Sequence, residues 1–297
     1  MTSIAFIGLG HMGAGMAANL AKAGQKVLAF DLSAAALDRA VGAGCVRAAS
    51  TAEAVAAADV VITMLPAGTH VRAVWAAEVI PHAKPGCLVV DCSTIDVESA
   101  RFVASLATKA GLRAADAPVS GGIMAADAGT LAFMVGCPDA DYAAVEATLG
   151  PMARVVIHAG APGAGQAAKI CNNMLLGISM IGVCEAFALA EKLELDPMRF
   201  FDIASKSSGQ CWSLNTYCPW PGGVESAPSN RNYEGGFLTA LMSKDLKLAQ
   251  DAAAKSGAAT PLGAQAQALY ALFEAQGYGQ KDFSAILQLM RGRMADL

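Results

Sequence analysis

Charge is scarce in this sequence. Of its 297 residues, 15% are Asp, Glu, Lys or Arg and 6% are aromatic, while 55% are hydrophobic. A chain so apolar is neither a disordered segment nor a coiled coil. Its 21 basic residues are outnumbered by 25 acidic ones, for a net charge of -4, and they form no runs, which argues against nucleic acid as a partner. Metal-ligand spacings are missing too. The cysteines (Cys45, Cys87, Cys92, Cys137, Cys171, Cys184, Cys211, Cys218) form no CxxC, and His11, His70, His82 and His158 form no HExxH. No metal is expected, and the thiols read as reduced core residues of a cytoplasmic protein. The longest apolar run, MLLGISMIGVC at 174–184, is framed by Lys169, Asn172, Asn173 and Glu185. It falls short of the ~20 residues of a membrane span and reads as a buried helix, so no membrane partner is expected. Met1-Thr2-Ser3 lacks the basic start of a signal peptide, and no Arg-rich transit segment follows.

What is present is alternation. Apolar runs at 4–7, 27–30, 60–64 and 87–91 are separated by helical patterns, such as those reaching residue 22 and covering 33–41. The runs are continuously apolar, as in parallel strands covered on both faces, and the order predicts a doubly wound α/β domain. Further strands are expected at 131–135 and 154–158, flanking a helix at 139–149. After Gly160-Ala161-Pro162-Gly163 strand signals stop. A helical pattern runs from 164 to 193, and the rest is mostly helical except for an irregular stretch at 218–236 rich in Pro, Gly, Ser and Asn. An ordered loop of that length is more often functional than not. The expected boundary lies at 162, giving domains 1–162 and 163–297. No internal repeat is evident.

Gly8-Leu9-Gly10-His11-Met12-Gly13 is G-x-G-x-x-G directly after a strand and opening a helix. Gly8 permits a tight turn, Gly10 admits a pyrophosphate, and Gly13 allows close helix–strand packing, so the phosphates would sit at the positive end of that helix. Asp31 ends the second strand, where a carboxylate accepts hydrogen bonds from ribose hydroxyls and repels a 2′-phosphate. No arginine follows in Leu32-Ser33-Ala34, which favours NAD over NADP. The alternative for Asp31 is a cap on the next helix. Leu65-Pro66 and Ser93-Thr94 close the next two strands, where open α/β sheets bind ligands. Thr94 is therefore a candidate contact for the nicotinamide half, or else an N-cap of the helix carrying Glu98.

Lys169 lies in the first turns of the long helix, with Asn173 four residues on and on the same side. Desolvation and a nearby cation lower a lysine pKa towards ~7–8, where it serves as general base for an alcohol; the other reading is a solvated face. Ser120-Gly121-Gly122 follows a strand expected at the edge of the first domain and offers a hydroxyl and backbone N–H groups to a carboxylate, or is simply a tight turn. Lys244 opens a helix after the long loop and reads equally well as a surface charge.

Four stretches in order, FIGLGHMG at 6–13, DAPVSGG at 116–122, GAGQAAKICNN at 163–173 and LMSKDLKLA at 241–249, resemble the four signatures of the β-hydroxyacid dehydrogenases. The stretch 208–246 is most similar to the branch of that family that oxidises 3-hydroxyisobutyrate in valine degradation. The resemblance implies an N-terminal Rossmann domain and an all-helical C-terminal domain for substrate and oligomerisation, joined by a long helix. It implies a catalytic Lys169 with Asn173 beside it, Ser120, Gly121 and Gly122 on the substrate, and Thr94 and Lys244 near NAD. A homodimer or homotetramer acting on a small hydroxy acid is implied as well. Trp212 and Tyr217 either line the substrate pocket or pack the helical domain. Related reductases of tartronate or succinate semialdehyde share the general motifs, and a non-enzymic nucleotide-binding assembly module is the reading of a different class. A phosphogluconate-type decarboxylating enzyme fits less well, since its phosphorylated substrate wants a longer helical domain and more clustered basic residues.

Overall fold

The computed structural model describes residues 2–297, and the chain forms two compact units, Met1–Lys169 and Ile170–Leu297. The first unit runs β1 (Ser3–Ile7), α1 (Gly13–Lys22), β2 (Lys26–Phe30), α2 (Ala34–Gly42), β3 (Val46–Arg47), α3 (Thr51–Ala57), β4 (Val60–Thr63), α4 (Gly68–Val74), β5 (Leu88–Asp91) and α5 (Val97–Lys109). It continues with β6 (Arg113–Asp116), β7 (Val119–Ser120), α6 (Gly122–Ala128), β8 (Leu131–Gly136), α7 (Asp139–Leu149) and β9 (Ala153–Gly160). The strands form one sheet in the order β3-β2-β1-β4-β5-β6-β8-β7, with β9 paired to β8. Strands β1 to β6 are parallel, and the order reverses between β1 and β4, so the glycine-rich loop after β1 stands at the switch point.

Side chains alternate across these strands, which explains the continuous apolar runs. Ile4 and Phe6 pack on one face with Met16, Leu20 and Leu37, whereas Ala5 and Ile7 pack on the other with Val55, Trp75 and Val103. β6 lies inside the sheet between β5 and β8, because β8 turns back antiparallel and joins at Asp116 and Gly136.

The helix α8 (Ala164–Lys192) begins in the first unit and continues into the second. By length and hydropathy alone it is able to cross a membrane, its best window averaging 1.7. Its Met180, Ile181, Val183, Cys184 and Phe187 nevertheless form the core of the second unit, while Leu175, Leu189 and Leu193 are exposed. Around that core lie α9 (Pro197–Ala204), α10 (Trp212–Asn215), α11 (Thr239–Ser256), α12 (Pro261–Phe273) and α13 (Ile286–Arg291). The irregular stretch at 218–236 contributes Cys218 and Tyr233 to the core, and the Tyr233 hydroxyl donates to the Pro219 carbonyl at 2.9 Å.

Candidate active site

The turn after β1 is moulded by its backbone. Gly8 has φ +97°, and a Cβ there would collide with the Met64 carbonyl. A Cβ at Gly13 would collide with the Gly8 carbonyl, whereas one at Gly10 would meet nothing within 4 Å. Gly8 and Gly13 thus close the turn, and Gly10 leaves open space for a ligand. Met12, at the N-cap of α1, makes no side-chain cap, and no acidic residue lies in the first turn. The helix end is suited to phosphate. His11 is exposed and Met12 half-buried beside it. Asp31 does not cap α2; Ser33 does, accepting from the Ala36 N–H. The Asp31 carboxylate instead accepts from Leu9 N–H at 2.6 Å and Ser33 N–H at 2.7 Å, fixing the loop from the end of β2. The next side chain, Leu32, is 96% exposed. This cradle fits a dinucleotide.

At the ends of β4 and β5 a polar network holds the backbone. Leu65 N–H donates to Ser93 Oγ at 2.7 Å, and Ser93 Oγ donates to Asp91 Oδ1 at 2.6 Å. Thr63 Oγ1 donates to the same oxygen at 2.7 Å and accepts from Trp75 Nε1 at 3.2 Å. Asp91 is buried, its Oδ2 makes no hydrogen bond among the described residues, and burial pushes its pKa up to about 6 against the donors that lower it. Pro66 is exposed and Thr94 half-buried. Thr94 is not the cap of α5; Asp96 is, accepting from Ser99 N–H at 2.7 Å.

The start of α8 is tied to these strand ends. Asp116 Oδ1 accepts from Gly163 N–H at 2.6 Å and its Oδ2 from Gln166 N–H at 2.8 Å, and burial raises its pKa to about 6. Lys169 follows on α8 and is 5% exposed, which removes the solvated-face reading. Ser120 ends β7 half-buried. Gly121 and Gly122 have φ +134° and +71°; a Cβ on Gly121 would sit 2.6 Å from Ala125 Cβ, while one on Gly122 would meet nothing within 4 Å. Sequence reasoning assigned no role to Asp91, Asp116 or Gln166. The signal available was an aspartate closing each of two strands, in VVD and RAAD.

In the second unit, buried Asn173 donates from Nδ2 to Asp245 Oδ2 at 2.5 Å, and Lys244, adjacent to that aspartate, is half-buried. Trp212, 50% exposed, stacks on Tyr217 with ring centroids 4.8 Å apart. The Tyr217 hydroxyl donates to buried Asp282 at 2.7 Å, and burial with the Asp282 charge pushes its pKa well up, so it stays a donor. Trp212 therefore presents a ring to solvent, while Tyr217 is held by the Trp212 and Phe283 rings and by Asp282. A cavity of about 470 Å³ between α8 and α9, lined by Val183, Ala186, Phe200 and Leu214, contains none of the candidate catalytic, cofactor or substrate residues.

Two family models cover the chain. Residues 3–160 match the NAD binding domain of 6-phosphogluconate dehydrogenase, and residues 163–290 match the NAD-binding domain of NADP-dependent 3-hydroxyisobutyrate dehydrogenase. A Mycobacterium tuberculosis protein named probable 3-hydroxyisobutyrate dehydrogenase is 49% identical over 99% of both chains. The chain belongs to the 3-hydroxyisobutyrate dehydrogenase family. Another relative, named NAD-dependent L-serine dehydrogenase, from Pseudomonas aeruginosa, is 48% identical over 97% of this chain and 98% of its own. A solved structure of Mycobacterium tuberculosis 3-hydroxyisobutyrate dehydrogenase with L-serine superposes with a TM-score of 0.95, at 49% identity over 98% of this chain and 99% of that one. The protein is thus an oxidoreductase of small hydroxy acids with a nicotinamide cofactor.

Proposed function

We propose that this family member oxidises 3-hydroxyisobutyrate to methylmalonate semialdehyde with NAD, in the cytoplasm, as a step of valine degradation. The observation that carries the chemistry is the buried Lys169, a base removed from water on a helix anchored to the strand ends. A bound nicotinamide supplies the acceptor for the hydride leaving the alcohol carbon. Lys169 Nζ accepts the hydroxyl proton as the C–O bond becomes C=O, and in the reverse direction its ammonium polarises the aldehyde. Asn173, held by Asp245, orients the same oxygen. Ser120, Gly121 and Gly122 anchor the carboxylate through a hydroxyl and N–H groups, charge-assisted bonds that also fix geometry. Trp212 or Tyr217 supplies the apolar contact for the methyl group.

For the cofactor, Gly8, Gly10, His11, Met12 and Gly13 receive the pyrophosphate, Leu65 and Pro66 flank the dinucleotide, and Thr94 and Lys244 serve its nicotinamide half. Asp31 and the apolar Leu32 support NAD, since a 2′-phosphate would meet a carboxylate and, at the next position, a leucine instead of a cation. We place the functional boundary at 162, with residues 1–162 for the dinucleotide and 163–297 for substrate and assembly into a homodimer or homotetramer. A second reading, L-serine as substrate, is favoured by the relative carrying that name. Both are β-hydroxy acids and differ at the α-carbon by methyl against ammonium. The test is a kcat/KM panel over 3-hydroxyisobutyrate, 3-hydroxypropionate, serine and glycerate with both cofactors. A methyl in an apolar pocket discriminates by ~10–200-fold, so 3-hydroxypropionate is expected to be poorer but active. Serine or glycerate leading the panel overturns the proposal, as does equal use of NADP.

A further inference from the structure

Gln166 has no exposed surface, and its whole carboxamide is committed to one short piece of backbone. Nε2 donates to the Ser93 carbonyl at 2.7 Å, and Oε1 accepts from the Ile95 N–H at 3.0 Å. Those two groups flank Thr94. The amide therefore grips the loop after β5 on both sides of Thr94, and Lys169 stands three residues further along the helix that carries it. The helix itself has no slack at this end. Asp116 holds the N–H groups of Gly163 and Gln166, and a Cβ at Gly165 would collide with the Met134 carbonyl.

We propose that Gln166 is a positioning residue that sets the placement of Lys169 relative to the Thr94 loop, and through it the geometry in which one alcohol releases its proton and its hydride. The inference rests on the roles given above to Lys169 and Thr94. A buried amide that merely filled space would not need both of its polar atoms on backbone more than seventy residues away. Nor does simple satisfaction of Ser93 and Ile95 account for its position, because water or a side chain from the same strand meets that need without linking them to α8.

Gln166→Met keeps the volume and removes both bonds, whereas Gln166→Asn keeps the amide but shortens its reach. Three quantities separate positioning from mere stability: the stoichiometry and affinity of bound cofactor, kcat, and the isotope effect on kcat with substrate deuterated at the alcohol carbon. A displacement on the order of 1 Å costs about 10²-fold in rate. Gln166→Met is therefore expected to bind a full equivalent of NAD at near-normal affinity, lose about 10²-fold in kcat, and show a larger isotope effect because hydride transfer becomes limiting. Gln166→Asn is expected to fall between it and the wild type, and carries the test if the methionine variant does not fold. Wild-type kcat and isotope effect in a fully cofactor-binding variant overturn the proposal, and so does a loss of kcat that only follows lost cofactor binding. Lys169→Ala, measured alongside, separates the two readings. Normal turnover there removes the base and the positioning role together, while an impaired Lys169→Ala beside a normal Gln166→Met removes the positioning role alone.

Discussion

The ends of β1 and β2 and the ends of β5 and β6 lie along the same edge of one sheet, yet they are built by different means. Around β1 and β2, backbone shape governs. Two glycines close a turn that no Cβ would permit, a third leaves open space, and the one carboxylate, Asp31, is partly exposed and reaches N–H groups in the loops that follow β1 and β2. Around β5 and β6 the carboxylates Asp91 and Asp116 are buried, paired across the strands in register, and bonded to hydroxyls and to backbone from a distant helix. The first region is a mould, which a large cofactor fills by shape. The second is a tether that, on the roles proposed for Lys169 and Thr94, would keep reacting groups at fixed separations. Recognition tolerates small displacements, while reaction depends steeply on them.

The sharpest way to break this contrast is at Lys169. If the tether exists to hold a base, Lys169→Ala is expected to lose ~10²–10⁴-fold in kcat with unchanged NAD affinity, measured by steady-state kinetics and equilibrium binding. Near-normal turnover would mean that the second region positions nothing chemical. A smaller effect is expected in the mould. Asp31→Asn with Leu32→Arg removes a repulsive charge and supplies a cation at an exposed position, which is expected to move the NAD/NADP ratio of kcat/KM by at least roughly tenfold, about 1.4 kcal/mol. Turnover at saturating cofactor should hardly change. An unchanged ratio would remove Asp31 from the ribose site.

The same contrast explains what could be read from the sequence. Shape written in glycine is local: Gly8, Gly10 and Gly13 fall within six residues, and Asp31 stands at the end of the next strand, so the mould and the sheet around it were legible. Lys169 and Asn173 were visible as polar residues in an apolar helix, and the alternatives for Asp31 and Thr94 as caps were resolved only by Ser33 and Asp96 taking those positions. The tether was not legible. The bonds that tie the strand ends to the start of α8 join residues 47 to 73 positions apart, Asp116 with Gly163 and Gln166 with Ser93, and no periodicity or spacing carries such a pairing. Likewise the interior place of β6 follows from the antiparallel return of β8, a long-range event that propensity does not encode.

The smallest effect expected concerns the cost of the tether itself. Asp91 accepts three hydrogen bonds on Oδ1 while Oδ2 has none among the described residues, so its charge is held in a dry place and its pKa rises from 3.8 to about 6. A carboxyl whose folded pKa exceeds its unfolded one binds more protons when folded. Its contribution to stability is therefore fully present below about pH 4 and is lost as pH rises through about 6. Asp91→Asn keeps the Oδ1 acceptor and cannot ionise. The difference in Tm, variant minus wild type, should rise between pH 4 and 6 and level off above, by roughly 2–4 °C for each kcal/mol of charge burial removed. Asp116 titrates over the same window in both proteins, and it largely cancels from the difference. Removing the Asp91 charge also relieves its repulsion of Asp116, which acts in the same direction. A difference in Tm that is flat with pH would mean that the Asp91 carboxylate is solvated, and that the two regions of the sheet edge are alike in the one property that most separates them.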